Sequence, residues 1–106
     1  MPKYMFHGSY TAAGAAGVLK DGGSGRMTAI NALAGSLGGS VESVYWAMGA
    51  DDYFIVCELP DNKAAAALSM TVAASGSVNI RTAELFSAAD VDEIAKLHAN
   101  YRAPGT

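Results

Sequence analysis

Two runs rich in β-branched and aromatic residues, Val41–Met48 and Tyr53–Leu59, are separated only by the stretch "GADD", and this constrains the chain more than any other feature. A gap that short joins antiparallel neighbours in a hairpin, because a parallel pair needs a long crossover. Whatever else the chain forms must be built around that hairpin.

Upstream, Tyr4–Thr11 mixes aromatic, apolar and small residues, as in a central strand covered on one face and partly on the other. Ala12–Lys20 reads as a weak helix interrupted by glycine. Met27, Ile30, Leu33, Ala34 and Leu37 then recur at three- and four-residue steps, giving a convincing helix that Gly38 and Gly39 end. Downstream, "PDNKAAAALSMTVAASG" has Asp61 as N-cap, alanine as its main helix former and Gly76 as its stop. Val78–Leu85 alternates Val78, Ile80 and Thr82 with Asn79, Arg81 and Ala83, the period of a strand with unlike faces. Ser87 and Asp90 resemble a capping box, followed by an apolar helical stripe of Val91, Ile94, Leu97, His98 and Tyr101.

The order βαββαβ with a trailing helix is the α+β, ferredoxin-like pattern: one four-stranded antiparallel sheet with two main helices on one side. A length of 106 residues fits a single domain spanning 1–106. A hydrophobic share of 51% against 16% charged argues for a folded chain, and the alanine and glycine content implies thin, closely approaching helices.

Net charge is -3 and the seven basic residues are scattered, which excludes a stripe for neutralising phosphates and hence nucleic acid as a partner. Cys57, the one cysteine, reads as a small buried hydrophobe in "YFIVCEL". His7 and His98 do not make a metal-binding spacing, and Asp51 with Asp52 read as turn formers, so no metal is expected. The start "MPKYMFHGSY" lacks a basic region followed by an apolar core, and no uncharged run has membrane-crossing length; a cytoplasmic protein without membrane contact is the expectation. "YRAPGT" reads as a short fraying tether.

"LKDGGSGRM", Leu19–Met27, has the look of an anion-binding loop, but Arg26 and Met27 follow Gly25 where a Walker loop requires lysine and a hydroxyl residue. A helix break and turn is the stronger reading, ahead of a loose nest of backbone N–H groups beside Arg26.

Strand alternation sends Phe6, Gly8, Val41, Tyr45, Ile55, Cys57, Val78 and Ile80 toward the helices. It sends Met5, His7, Ser9, Val44, Trp46, Met48, Phe54, Val56, Glu58, Asn79 and Arg81 to the other face. That second, mostly apolar face has a footprint on the order of 400 Å², large for a monomer to expose. A second copy laid face to face covers it by two-fold symmetry, so a homodimer or higher homo-oligomer is expected. A cavity between the two sheets would be lined by His7, Trp46, Glu58 and Arg81, with Asn79 alongside. Glu58 and Arg81 have a plainer reading as a charge pair across the interface, and His7 as a hydrogen-bonded filler.

The pieces "SYT" (Ser9–Thr11), "GVLKDGGSGR" (Gly17–Arg26), "SLGG" (Ser36–Gly39), "LPDN" (Leu59–Asn62), "ASG" (Ala74–Gly76) and "RTAEL" (Arg81–Leu85) resemble the GYD-domain family, small bacterial proteins largely uncharacterised in function. The family's namesake glycine and aspartate map onto Gly49 and Asp52, with Asp51 where the tyrosine is expected. The resemblance implies a ferredoxin-like fold of the dimeric α/β-barrel type and carries no substrate or active-site residues with it.

Three functional readings remain open. The first is a homo-oligomeric binding or accessory protein holding a small acidic or aromatic molecule, with Trp46 as stacking surface and Arg81 as charge. The second is a cofactor-independent isomerase or monooxygenase with His7 as general base, Arg81 stabilising negative charge and Glu58 orienting one of them. The third is a structural module whose sheet face serves assembly alone.

Overall fold

A computed structural model describes residues 1–106. The elements run β1 (Lys3–Tyr10), α1 (Ala12–Ser36), β2 (Ser40–Trp46), β3 (Tyr53–Glu58), α2 (Asn62–Ala74), β4 (Val78–Leu85) and α3 (Ala88–Ala95). The strands form one antiparallel sheet in the order β2-β3-β1-β4, with β1 paired on both sides. This is the interleaved βαβ topology expected from the element order, with α1 lying over β2 and β1 and α2 over β4.

Each helix begins where its cap permits. Thr11 Oγ1 accepts from the Gly14 N–H and donates to the Gly76 carbonyl, tying the start of α1 to the end of α2. Asp61 accepts from the Ala64 N–H, and Ser87 with Asp90 closes the full capping box of α3. α1 is two helices joined at a kink, where Gly22 adopts φ 71°, ψ 171°, a backbone conformation that L side chains resist. "LKDGGSGRM" is therefore a helix break, as its composition indicates.

The core is small and lies between the sheet and the helices. Tyr4, Phe6, Cys57 and Leu59 of the sheet side meet Ala34 of α1 and Ala65 and Leu68 of α2, all nearly inaccessible to water. Gly8 on β1 is required by a close approach: a Cβ there would stand 1.9 Å from the Asn79 carbonyl oxygen. Its bareness lets Tyr53 reach across β1 and donate its hydroxyl to that same carbonyl at 2.9 Å.

Strand β2 departs from simple alternation. A bulge between Val41 and Ser43 inserts one residue, so that Val44 pairs with Ile55, Tyr45 with Phe54 and Trp46 with Tyr53. Beyond the bulge the faces exchange: Val44 and Trp46 join the helix side, and Tyr45 joins the other, contrary to the assignment from period two. Trp46 Nε1 donates to Tyr10 Oη at 2.9 Å, and its ring lies beside Gly23 of α1. The trailing helix is shorter than its stripe, stopping at Ala95, and it buries no residue. Phe86, Val91, Ile94, Leu97 and Tyr101 stay exposed along this arm, and the molecule measures 55 × 33 × 22 Å. No helix is long and apolar enough to cross a membrane.

Two outcomes follow from this core. Phe6→Ala, at a side chain 1% exposed in the middle of the central strand, is expected to cost about 3–5 kcal/mol of unfolding free energy, measured by urea denaturation. Burial also pushes the Cys57 thiol from 9.0 up to about 11. The Tyr53 hydroxyl rises from 10.0 to about 12, chiefly through desolvation, with Tyr10 and Asp51 adding and Arg81 opposing. The folded state thus holds both protons more tightly than the unfolded chain does. Their stabilisation is complete below pH 9.0 for Cys57 and 10.0 for Tyr53, and is lost as pH rises through about 11 and about 12. Urea midpoints should therefore fall from pH 9 upward, and Cys57→Ala should flatten the early part of that decline; an unchanged slope would show that Cys57 does not cause it.

A candidate site on the open sheet face

The sheet register sets the rows of the face that no helix covers. Tyr45, Phe54, His7 and Arg81 line up across all four strands, and Ser43, Val56, Met5 and Ala83 form the next row. The middle of this surface, with Met5, Val56, Ala83 and Phe54, is apolar and half-buried by its own neighbours. Polar groups stand at both ends: Lys3, Glu42 and Glu58 at one, and His7 and Arg81 at the end nearest the β2–β3 turn.

There Asp51 folds back over the first row. Its Oδ2 lies 3.0 Å from His7 Nδ1, and its Oδ1 accepts from the Arg81 guanidinium. His7 and Asp51 keep only 20% and 17% of their side chains exposed, whereas Arg81 keeps 63%. The His7 ring lies parallel to Phe54, with 6.0 Å between centroids and 6° between planes. The neighbouring Asp52 serves the backbone instead. Its carboxylate accepts the Tyr10 N–H at 2.9 Å and its own N–H donates to the Gly8 carbonyl, pinning the turn against β1.

This arrangement determines what the cluster can do. A carboxylate at neutral pH only accepts, so the proton on its histidine partner belongs on Nδ1. His7 Nε2 makes no hydrogen bond within the chain, and in the neutral imidazole it is the acceptor that a general base or a ligand donor needs. Arg81 spends part of its donor fork on Asp51 and presents the rest to solvent, beside an aromatic row. The cluster can therefore take an anionic group at Arg81, accept a proton at His7, and stack a flat body against Phe54.

Of the residues singled out from sequence, the structure brings together His7 and Arg81. Asn79 stands one step further along the same face, its amide donating to Ser9 Oγ at 3.4 Å. Trp46 is removed from the site by the β2 bulge. Glu58 is removed by register: it pairs with Lys3 and Ser40, four residues along β1 from His7, a separation of roughly 13 Å. Within one chain the partner of Arg81 is therefore Asp51 and not Glu58. Asp51, read from sequence as a turn former, is the residue that joins the other two. The signal that could have found it is the placing of a histidine and an arginine on one face, beside a turn that carries an acid. His98 lies in the exposed C-terminal segment, away from this cluster. No group of three or more His, Cys, Asp or Glu is placed to hold a metal ion.

Fold and site together define an α+β protein of ferredoxin-like topology with a titratable cluster on its uncovered sheet face. The GYD domain family model matches residues 4–95, from the second residue of β1 to the last of α3, and the chain belongs to that family. Comparison with curated proteins and with solved structures gave no match.

The hydrogen-bond geometry is open to direct test. In ¹⁵N-resolved imidazole spectra at a pH where His7 is neutral, Nδ1 should carry the hydrogen and Nε2 should be bare. Asp51→Asn, whose amide can donate as well as accept, should convert this single tautomer into a mixture. A native His7 already in the Nε2–H form contradicts the assignment.

Proposed function

We propose that this GYD-domain protein is a homo-oligomeric small-molecule-binding protein, its ligand held between the open sheet face and a second copy of the chain. The observation that carries the reading is the His7–Asp51–Arg81 cluster, an organised set of donors and one free acceptor beside the apolar side chains of Phe54, Met5 and Val56. Binding sites have this composition, a mostly apolar wall with a few convergent polar groups. The ligand it suits is small and acidic with a flat or aromatic portion, its charge on Arg81 and its ring against Phe54.

The oligomer follows from surface economy. One sheet face presents on the order of 400 Å², so two faces together fall short of the roughly 1,200 Å² that a stable interface buries. The apolar stripe of α3, with Val91 and Ile94 at its centre, supplies the missing area if each arm reaches its partner. A two-fold axis makes both contacts at once.

A second reading has its own support. Asp51 holds His7 in the tautomer of a general base, the geometry expected of a cofactor-independent isomerase or monooxygenase acting on the same ligand. In that case Asp51→Asn lowers turnover with little effect on binding, whereas Arg81→Ala weakens binding itself.

Light scattering at high protein concentration should give a dimer or larger species, and Val91→Asp with Ile94→Asp should shift it toward monomer. Native mass spectrometry against a metabolite library should capture acidic hits that Arg81→Ala loses by about tenfold or more, the usual worth of a charged hydrogen bond. A strict monomer, or hits indifferent to Arg81, would overturn the proposal.

A further inference from the structure

The side of the sheet that faces the helices holds an opening unrelated to the cluster above. Between α1 and α2 runs a cleft of about 410 Å³, with Tyr10, Asp21, Arg26, Ser75 and Ser77 among its lining residues. Adjoining it, and sharing Tyr10, Arg26, Leu33, Val72 and Val78, is a second cavity of about 70 Å³ that reaches Ile55, Cys57 and Ile80 on the sheet. Apart from Arg26 the walls of this inner cavity are apolar.

The opening has a cause in the sequence. Where α1 faces α2 it offers Ala13 and Gly17, which have too little side chain to meet Thr71 and Val72 across the gap; a Cβ at Gly17 would meet nothing within 4 Å. Leu33, Ile55, Val72 and Ile80 consequently stay only partly buried although they stand at the middle of the helix–sheet layer. Protein interiors are close-packed, so an unfilled apolar space at that place, opening into a cleft of ligand size, marks a binding cavity.

Two groups at its mouth suit an anion. Arg26 is 35% exposed and held only loosely, 3.8 Å from Asp21. Tyr10 Oη accepts from Trp46, which leaves its own hydrogen free to donate. We infer that this cleft binds an unbranched aliphatic carboxylate of medium chain length, with the head group on Arg26 and Tyr10 and the tail running down to Ile55 and Ile80. The occupant is aliphatic because the inner cavity is narrow and walled mainly by branched aliphatic side chains. Asp21 opposes the head group electrostatically and tunes the affinity downward.

The test is a titration of the full chain with sodium octanoate, followed by amide shifts in ¹H–¹⁵N correlation spectra. Saturable shifts should centre on Gly17, Arg26, Val72 and Ser77 and spare His7 and Arg81. Affinity should rise about fourfold for each methylene added from hexanoate to octanoate. Arg26→Ala should weaken octanoate about tenfold, Asp21→Asn should tighten it, and octan-1-ol should bind the unaltered protein about as weakly as octanoate binds Arg26→Ala. Arg81→Ala should bind octanoate like the unaltered protein, so this result and that for the open sheet face stand or fall separately. Absence of saturable binding, a flat chain-length series, shifts centred on the open face or α3, or indifference to both Arg26 and Asp21 would overturn the inference.

Discussion

Everything in this molecule depends on the two-residue period of β1, which is held in register by hydrogen-bonded partners on both sides. Because neither edge is free, the strand cannot slip by one residue without moving Tyr4 and Phe6 out of the core and His7 into it. The same alternation that buries Phe6 beneath the helices obliges His7 to stand on the uncovered face, in line with Phe54 and Arg81. Core and candidate site are thus two sides of one strand. A change that loosens the first disorganises the second even though the two sets of side chains never touch.

The parts of this arrangement legible in the sequence are those governed by regular periods and strong local chemistry. The hairpin around "GADD", the capping box at Ser87 and Asp90, the helix break in "LKDGGSGRM" and the facing of Phe6, Cys57 and Ile80 all follow from rules that act over a few residues. The β2 bulge does not. Nothing in "SVESVYW" marks Glu42 as an extra residue, yet it exchanges the faces of Tyr45 and Trp46 and so removes the expected stacking surface from the site. Glu58 departs from expectation for another reason: facing follows from alternation, but position along the face depends on register, and register depends on the whole sheet. Asp51 lies outside any strand, so periodicity has nothing to say about it.

The helices illustrate how composition acts through packing. Alanine and glycine favour a tight approach only where something lies opposite at the right distance. Against the sheet they achieve it, as at Ala34 and Ala65, which are almost completely buried. Toward each other, α1 and α2 are held apart by the strands beneath them, and small residues then leave space instead of closing it. The expected thin helices are present, but one consequence of thinness is a cleft as well as a close contact. The kink at Gly22 belongs to the same picture, since it allows the second half of α1 to follow the sheet toward β2 while Arg26, just beyond it, stays beside the opening.

The adjacent acids of the β2–β3 turn show how a fold of this kind turns a local necessity into chemistry. Asp52 satisfies backbone groups of β1, as any hairpin closing against a central strand must do in some way. With the turn fixed in that way, the preceding side chain has no freedom to wander, and Asp51 is delivered to His7 and Arg81 without a separate ordering cost. A carboxylate on a mobile loop would lose several rotatable bonds of freedom for the same two contacts, and its hold on the imidazole would be correspondingly weak. The rigidity that the cluster requires is therefore supplied by the neighbour that takes no part in it. Position 51 is therefore one at which a different chemical group can be introduced onto the open face while the backbone beneath it stays unchanged.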